Sequence, residues 1–308
     1  MEGFPAQQTD NYHRAQLLDT VMQSATEGVV IVRGDKKVLY ANPSMEKITG
    51  FTCEELMQKG EGFLRHETDA PVCQDICEIA HNVAHFRREV TVHKKNGGES
   101  HVLLSLDTLR NGEGQIEYFV GLLTDVTEIK RSREKLAYLA THDNLTQLPN
   151  RTMLEERAEQ ALSRADRTQK LGALLFVDVD YFKEINDTLG HCVGDSLLKL
   201  VAQRLKDVCR KQDFVARYGG DEFVLILEDM DRVEDVHLKA EELLTSLNRR
   251  FSVQCHEPAI SASIGAALFP RDGKTFNELV QRADIAMYAA KKAGRNRHCI
   301  FDPENPFN

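Results

Sequence analysis

Gly219, Gly220, Asp221 and Glu222 are the residues of this chain best suited to chemistry. They separate two apolar, β-prone runs, FVARY and FVLIL, so a β-hairpin with these four at its tip is predicted. Glycines let a ligand approach the main chain closely. Two acids beside them suit a divalent cation and a phosphate. A turn needed only for solubility requires neither feature. A second acidic point lies at the end of ALLFVD, a near-continuous apolar run that reads as a buried central strand. Asp178, Val179 and Asp180 close that run, and carboxylates there are costly unless they coordinate or pair. The plainer alternative is that Asp178 caps the helix that follows.

Cationic residues accompany these acids. Lys183 lies in FKEINDTL, a short predicted helix, where it could steady charge on a transferring phosphoryl group or simply face solvent. Lys291 and Arg295 sit four apart on another predicted helix and therefore share a face. An anionic ligand or the helix's own dipole would each account for them.

The elements that must position these residues fall into two α/β units joined by a helix. Tyr12 to Ser24 reads as a short helix, after a mobile start over 1–11. GVVIVRGDKKVLYAN reads as two strands around an Arg-Gly-Asp-Lys turn, with helical material from Asn42-Pro43 through Met57 and a further helix from Asp69 to His81. Three strands follow, FRREVTVH, ESHVLLSLDTLR and IEYFVGLLTDVT, joined by the hairpin-type turns KKNGG and NGEG. From Asp125 to Thr141, Val126, Ile129, Leu136 and Ala140 keep a 3-4 spacing with Arg133 in the fifth seam position. A two-heptad coiled coil and a lone amphipathic linker both fit that pattern.

The 308 residues suffice for two domains, and 42% hydrophobic with 28% charged residues is ordinary for a globular chain. No apolar run reaches membrane-spanning length, and MEGFPAQQTDNYHR lacks the basic start and apolar centre of a signal peptide. A cytoplasmic location with no membrane contact is the expectation. A formal net charge of −9 argues against nucleic acid as a partner. The seven cysteines are scattered and odd in number, so reduced thiols are expected.

The strand-and-helix order of residues 12–127 resembles a PAS sensor domain. LYANPSMEKITGFTCEEL is similar to that family's strand-to-helix region, and KKNGGES and YFVGLLTDVTEIK to its late hairpin and terminal strand. Residues 142–308 resemble the GGDEF domain of diguanylate cyclases through HDNLTQLPNR, FVDVDYFKEINDTLGHCVGD, RYGGDEF, SIGAALFP and ADIAMYAAKKAGRNR, in the family's order. Gln147 departs from the family, which usually has Gly there. The implied fold is α/β (α+β). An antiparallel PAS sheet with flanking helices precedes a nucleotidyl-cyclase-like sheet with surrounding helices, and a linker helix over 128–141 joins them.

The resemblance implies a reaction. Two GTP would condense to cyclic di-GMP and pyrophosphate across a homodimer, with two Mg²⁺ per active site. Asp178, Asp221 and the carbonyl of Val179 would hold metal, and Asp221 or Glu222 would act as base. Asn186 and Asp195 match guanine readers, an assignment consistent with their donor and acceptor sets. His191 matches a position along the substrate, although a packed structural histidine fits equally. Lys291 and Arg295 would contact terminal phosphates, and Gly219 and Gly220 would line the nucleotide. Arg210-Lys211-Gln212-Asp213 matches the family's RxxD product-inhibition site, where an Arg fork can read guanine O6 and N7. A catalytically silent cyclic di-GMP receptor and a mixed guanine–adenine cyclase are the competing readings. The acids speak against the first and Asp195 against the second. For the sensor, Cys73, Cys77 and His81 recur at intervals of four, as a haem or zinc site would or as a core stripe of small thiols would. Haem, flavin and no ligand all remain open for the PAS domain.

Overall fold

The computed structural model describes residues 6–60, 83–253 and 256–304. Two compact units divide the chain, Met1–Glu134 and Lys135–Asn308.

The first unit opens with α1 (Ala6–Ser24), then β1 (Gly28–Arg33), β2 (Val38–Ala41), α2 (Pro43–Thr49) and α3 (Cys53–Lys59), followed by β3 (His85–His93), β4 (Glu99–Arg110) and β5 (Ile116–Asp125). The strands form one antiparallel sheet ordered β2-β1-β5-β4-β3. Asn42 ties the sheet to the helices. Fully buried, it accepts from the amides of Val29 (2.8 Å) and Met45 (3.2 Å) and donates to the carbonyls of Met22 and Glu27. Val30, Met45, Ile48, Leu56, Val102, Leu104 and Leu123 fill the core.

Two local expectations need correction. The first helix begins at Ala6, so 6–11 are helical, in keeping with the helix-favouring Ala and Gln there. The stretch from Asn42 to Met57 is two helices. Gly50 ends α2 at φ 72°, and Thr52 and Glu55 start α3 with a reciprocal capping box. The helix expected from Asp69 to His81, with Cys73, Cys77 and His81, lies outside the described residues. His85 is the first residue of β3, its Nδ1 2.8 Å from Asp107 Oδ1.

Helix α4 (Thr127–Thr141) crosses the boundary between the units. Ile129 and Leu136 on it are 54% and 65% exposed, so these two apolar positions are largely uncovered among the described residues.

The second unit contains α5 (Arg151–Thr168), β6 (Leu171–Val179), α6 (Phe182–Leu189), α7 (His191–Val208), β7 (Phe214–Gly219), β8 (Glu222–Met230), α8 (Val233–Leu247), β9 (Ala262–Phe269), α9 (Phe276–Lys292) and β10 (Arg297–Ile300). Its sheet runs β10-β9-β6-β8-β7, antiparallel except for β10 beside β9. β6 is central, and it is buried on both faces as its apolar run requires. Leu175 and Val177 pack in a core with residues of α7 and α8, while Leu174 and Phe176 pack with residues of α5 and α9.

Gln147 occupies a left-handed conformation, φ 58°, in the loop before α5. Its Nε2 donates to the Asn144 carbonyl at 2.7 Å, but a residue with a Cβ is strained at that φ. Gln147→Gly is expected to stabilise this unit by about 0.5–1 kcal/mol, the strain relief exceeding the cost of a freer unfolded chain. A denaturant melt of the variant beside wild type measures it; an unchanged or lower midpoint contradicts the strain.

Candidate active site

The acids meet at one end of three strands. Asp178, the penultimate residue of β6, stands in register with Glu222 on β8 and Ser263 on β9. The amide of Val179 donates to the Asp221 carbonyl at 3.3 Å. Burial pushes the Glu222 carboxyl above its usual range, and the charges of Asp178, Asp221 and Asp284 add to the shift. Burial also raises Asp178; Lys291 opposes the shift, while Asp221 and Asp180 add to it. Lys291 Nζ lies 2.8 Å from Asp178 Oδ2. Asp178 does not cap the next helix, whose N-cap position is held by Tyr181 at φ 59°.

This excess of negative charge over one partly exposed ammonium fits a divalent cation. Among the described residues no three His, Cys, Asp or Glu side chains converge as a ready-made cage. Mg²⁺ does not require one, since it is commonly held by one or two carboxylates together with substrate phosphates. The donor set of Asp178, Asp221 and the Val179 carbonyl therefore suits Mg²⁺.

The acidic turn is held from a distance. Gly219 pairs with Glu222, leaving Gly220 and Asp221 as the central residues, with Gly220 at φ 48°. A Cβ at either Gly219 or Gly220 would meet nothing within 4 Å, so the turn's main chain is open to a ligand. Arg217 fixes it in place. Its Nε and Nη2 donate to the Gly220 carbonyl at 3.0 and 2.6 Å, and its Nη1 donates to Asp143 Oδ1 at 2.9 Å. Its amide also donates to the Pro149 carbonyl. Burial would raise the Asp143 carboxyl, but hydrogen bonds from Thr146 and Arg217 outweigh it and hold the group below its usual range. The sequence reading assigned no role to Arg217 or Asp143.

Asp180, at the strand end where a carboxylate must coordinate or pair, acts as a hub. Only 3% exposed, it accepts from Ser261 Oγ (2.6 Å), Ser263 Oγ (2.7 Å) and the Asn296 amide (3.2 Å). These bonds join the end of β6 to the start of β9 and to the turn after α9. Lys291 lies in the last turn of α9, but Arg295 does not share its helical face. The helix ends at Lys292, and Arg295 follows in a left-handed conformation, φ 59°, because Gly294 breaks the helix. Its guanidinium instead covers the Tyr181 ring at 4.6 Å, with Nε 4.0 Å from Asp180 Oδ1. Asp284, seven residues before Lys291 and so on its face of α9, adds charge beside Glu222; that spacing was available in the sequence.

The expected guanine readers lie on α6 and α7. Asn186 is half-buried and Asp195 exposed. A Cβ on Gly194 would fall 1.9 Å from Asn186 Oδ1, so the bare backbone of α7 seats the Asn186 amide. His191, the first residue of α7, is exposed rather than packed, and Lys183 is exposed on α6. Arg210 and Asp213 form a separate tight turn. The Arg210 amide donates to Asp213 Oδ2 (2.8 Å), and the Asp213 amide donates to the Arg210 carbonyl (3.0 Å). Asp213 Oδ1 is buried without a hydrogen-bond partner among the described residues, and Arg210 is exposed.

Known proteins resemble both halves of the chain. The family model described as "Diguanylate cyclase, GGDEF domain" matches residues 140–297, and the one described as "PAS fold" matches 16–126. The bifunctional diguanylate cyclase/cyclic di-GMP phosphodiesterase MucR of Pseudomonas aeruginosa is 48% identical over 176 residues, covering 57% of this chain and 26% of that protein. The probable diguanylate cyclase DgcE of Escherichia coli K12 is 31% identical over 297 residues, 95% of this chain and 27% of that protein. The chain thus spans about a quarter of each of these relatives' length. A solved GGDEF domain of TpbB (YfiN) from Pseudomonas aeruginosa superimposes with a TM-score of 0.52 at 38% identity, covering 54% of this chain and 96% of that one. No helix among the described residues is long and apolar enough to cross a membrane. The chain belongs to the GGDEF diguanylate cyclase family and carries a PAS domain ahead of its GGDEF domain.

Proposed function

We propose that this chain is a diguanylate cyclase that joins two GTP into cyclic di-GMP with release of pyrophosphate, under control of its PAS domain and of its own product. The observation that carries the reading is the gathering of Asp178, Asp221 and Glu222 at one end of neighbouring strands, with Lys291 as the local cation. In the reaction the 3′-hydroxyl of one GTP attacks the α-phosphorus of another, and a second attack closes the ring. Asn186 and Asp195 read guanine, and His191 lies along the nucleotide. Gly219 and Gly220 let its phosphates approach the turn. Lys291 and Arg295 bear on the terminal phosphates and Lys183 on the charge of the transferring group. Glu222, its carboxyl raised by burial and by its acidic neighbours, is one candidate base, and Asp221 beside it is the other. When bound at Asp178, Asp221 and the Val179 carbonyl, Mg²⁺, two per site, would supply charge neutralisation and a lowered pKa for the attacking hydroxyl. One chain holds one of the two nucleotides, so the active species is a homodimer. The uncovered Ile129 and Leu136 of α4 suit a helix from the second copy.

Incubation with Mg²⁺ and either GTP or ATP, followed by product identification, tests the reading. Cyclic di-GMP from GTP is expected. None, after stripping bound product, would leave the silent receptor as the better account.

Product control rests on the exposed Arg210 and on the partly exposed Asp213. The Asp213 carboxylate would accept from the guanine amine while the Arg fork reads O6 and N7. Arg210→Ala is expected to keep the initial rate while raising the cyclic di-GMP concentration that halves it by about tenfold or more, the loss of one bidentate contact. Inhibition curves that overlay wild type contradict the assignment.

A further inference from the structure

On the far edge of the catalytic sheet, two histidines meet outside the proposed catalytic and inhibitory sites. His237 lies on α8 and His298 on the edge strand β10, with His237 Nδ1 2.8 Å from His298 Nε2 and the rings near perpendicular. Glu241 stands four residues after His237, on the same face of α8, and is exposed with no hydrogen bond or ion pair among the described residues. Its charge is felt at His298. Two imidazole nitrogens and a free carboxylate on two adjoining elements make the donor set that borderline divalent transition metals favour.

We propose that His237, His298 and Glu241 bind one divalent transition-metal ion of the zinc type, bridging α8 to β10. The two nitrogens need to part only slightly, since tetrahedral zinc ligands at ordinary bond lengths stand about 3.3 Å from each other. The three side chains are not gathered as a ready-made cage; the histidine pair is in place, Glu241 completes the set by a change of rotamer, and water fills the open position. Binding displaces the proton shared between the two rings, so affinity falls as pH falls. The bridge would act on the end of the chain that serves the nucleotide. β10 starts just after Arg295 and Asn296, and the Asn296 amide is bonded to Asp180. A metal at the edge therefore pins the strand that leads away from the phosphate-facing turn.

The test is a Zn²⁺ titration of the full chain after chelator treatment, read by competition with a chromophoric chelator, with Co²⁺ absorption as a second probe. Wild type is expected to bind one equivalent that His237→Gln and His298→Gln each weaken by at least about tenfold, since loss even of a ligand's supporting partner costs that much. Glu241→Gln, at an exposed position that leaves the histidine pair intact, is expected to weaken it less, in the same direction. All variants should unfold at the wild-type temperature in chelator, and Zn²⁺ should raise that temperature for wild type more than for His298→Gln. Equal stoichiometry and affinity in wild type and all three variants would overturn the proposal and leave the pair as a simple hydrogen bond.

Discussion

Asp178→Asn is expected to cut cyclic di-GMP synthesis by about 10³-fold or more while leaving the fold at least as stable as wild type. The first half follows from position. Asp178 lies opposite Glu222, beside Asp221, and pairs with Lys291 at 2.8 Å. An amide of the same shape keeps the packing but removes the charge on which the proposed cation site depends, and losing about 4 kcal/mol of transition-state stabilisation is a loss of about 10³ in rate. The second half follows from electrostatics. Burial and neighbouring acids raise both Asp178 and Glu222, so the ionised forms are disfavoured in the folded protein. A group whose folded pKa is raised favours folding fully below its unfolded pKa, and that contribution is lost as pH rises through the folded value. In chelator, the variant's advantage should therefore be largest near neutral pH and shrink as pH falls toward about 4, where wild type takes up protons. Lys291 loses a partner, but its side chain is 28% exposed and can turn to water. Product assays and urea melts at two pH values measure both halves. A variant that keeps more than a tenth of wild-type activity contradicts the site, and one that melts well below wild type at neutral pH contradicts the electrostatic account.

What the sequence disclosed and what it hid divide along the range of the interactions. The central strand was legible because burial on both faces demands an unbroken apolar run, and LGALLFVDV has one. The acidic hairpin was legible because two glycines and two acids between β-prone runs have few other structural uses. The break between α2 and α3 was written locally as Gly50 and the Thr52–Glu55 box, yet helical composition on both sides masked it. The Arg217–Asp143 anchor could not be read, since it joins residues 74 apart whose meeting depends on the whole sheet. Asp180 was visible as an acid at a strand end, but its three partners come from segments more than eighty residues downstream. Arg295 was misplaced because an i,i+4 spacing implies a shared face only while the helix continues, and Gly294 ends it. The same limit applies to Gly194, whose importance depends on a neighbour in a different helix.

Gly194→Ala is expected to lower kcat/KM for GTP by about 10- to 100-fold without loss of stability. Gly194 lies in the first turns of α7, inside the helix, where glycine is a poor choice on propensity alone. Replacing it with alanine in a helix interior ordinarily stabilises by about 0.5–1 kcal/mol. Its retention against that preference is explained by what lies over it. An added Cβ would stand 1.9 Å from Asn186 Oδ1 and 3.0 Å from its Cγ, with Phe182 next at 3.2 Å. The first of these is the end of a rotatable, half-buried side chain, so the cheapest response is for Asn186 to swing away rather than for α6 to separate from α7. The amide then leaves the place from which it is proposed to read the base, and a nucleotide edge left unpaired costs about 1.5–3 kcal/mol, about 10- to 100-fold in affinity. Asn186→Ala should give a similar loss, and the double variant should lose little more than either alone, because both substitutions remove one interaction. Two outcomes would defeat the argument. Additive losses in the double variant would mean that Gly194 acts independently of Asn186. A melting point well below wild type would mean that the helices, not the amide, absorbed the added methyl group.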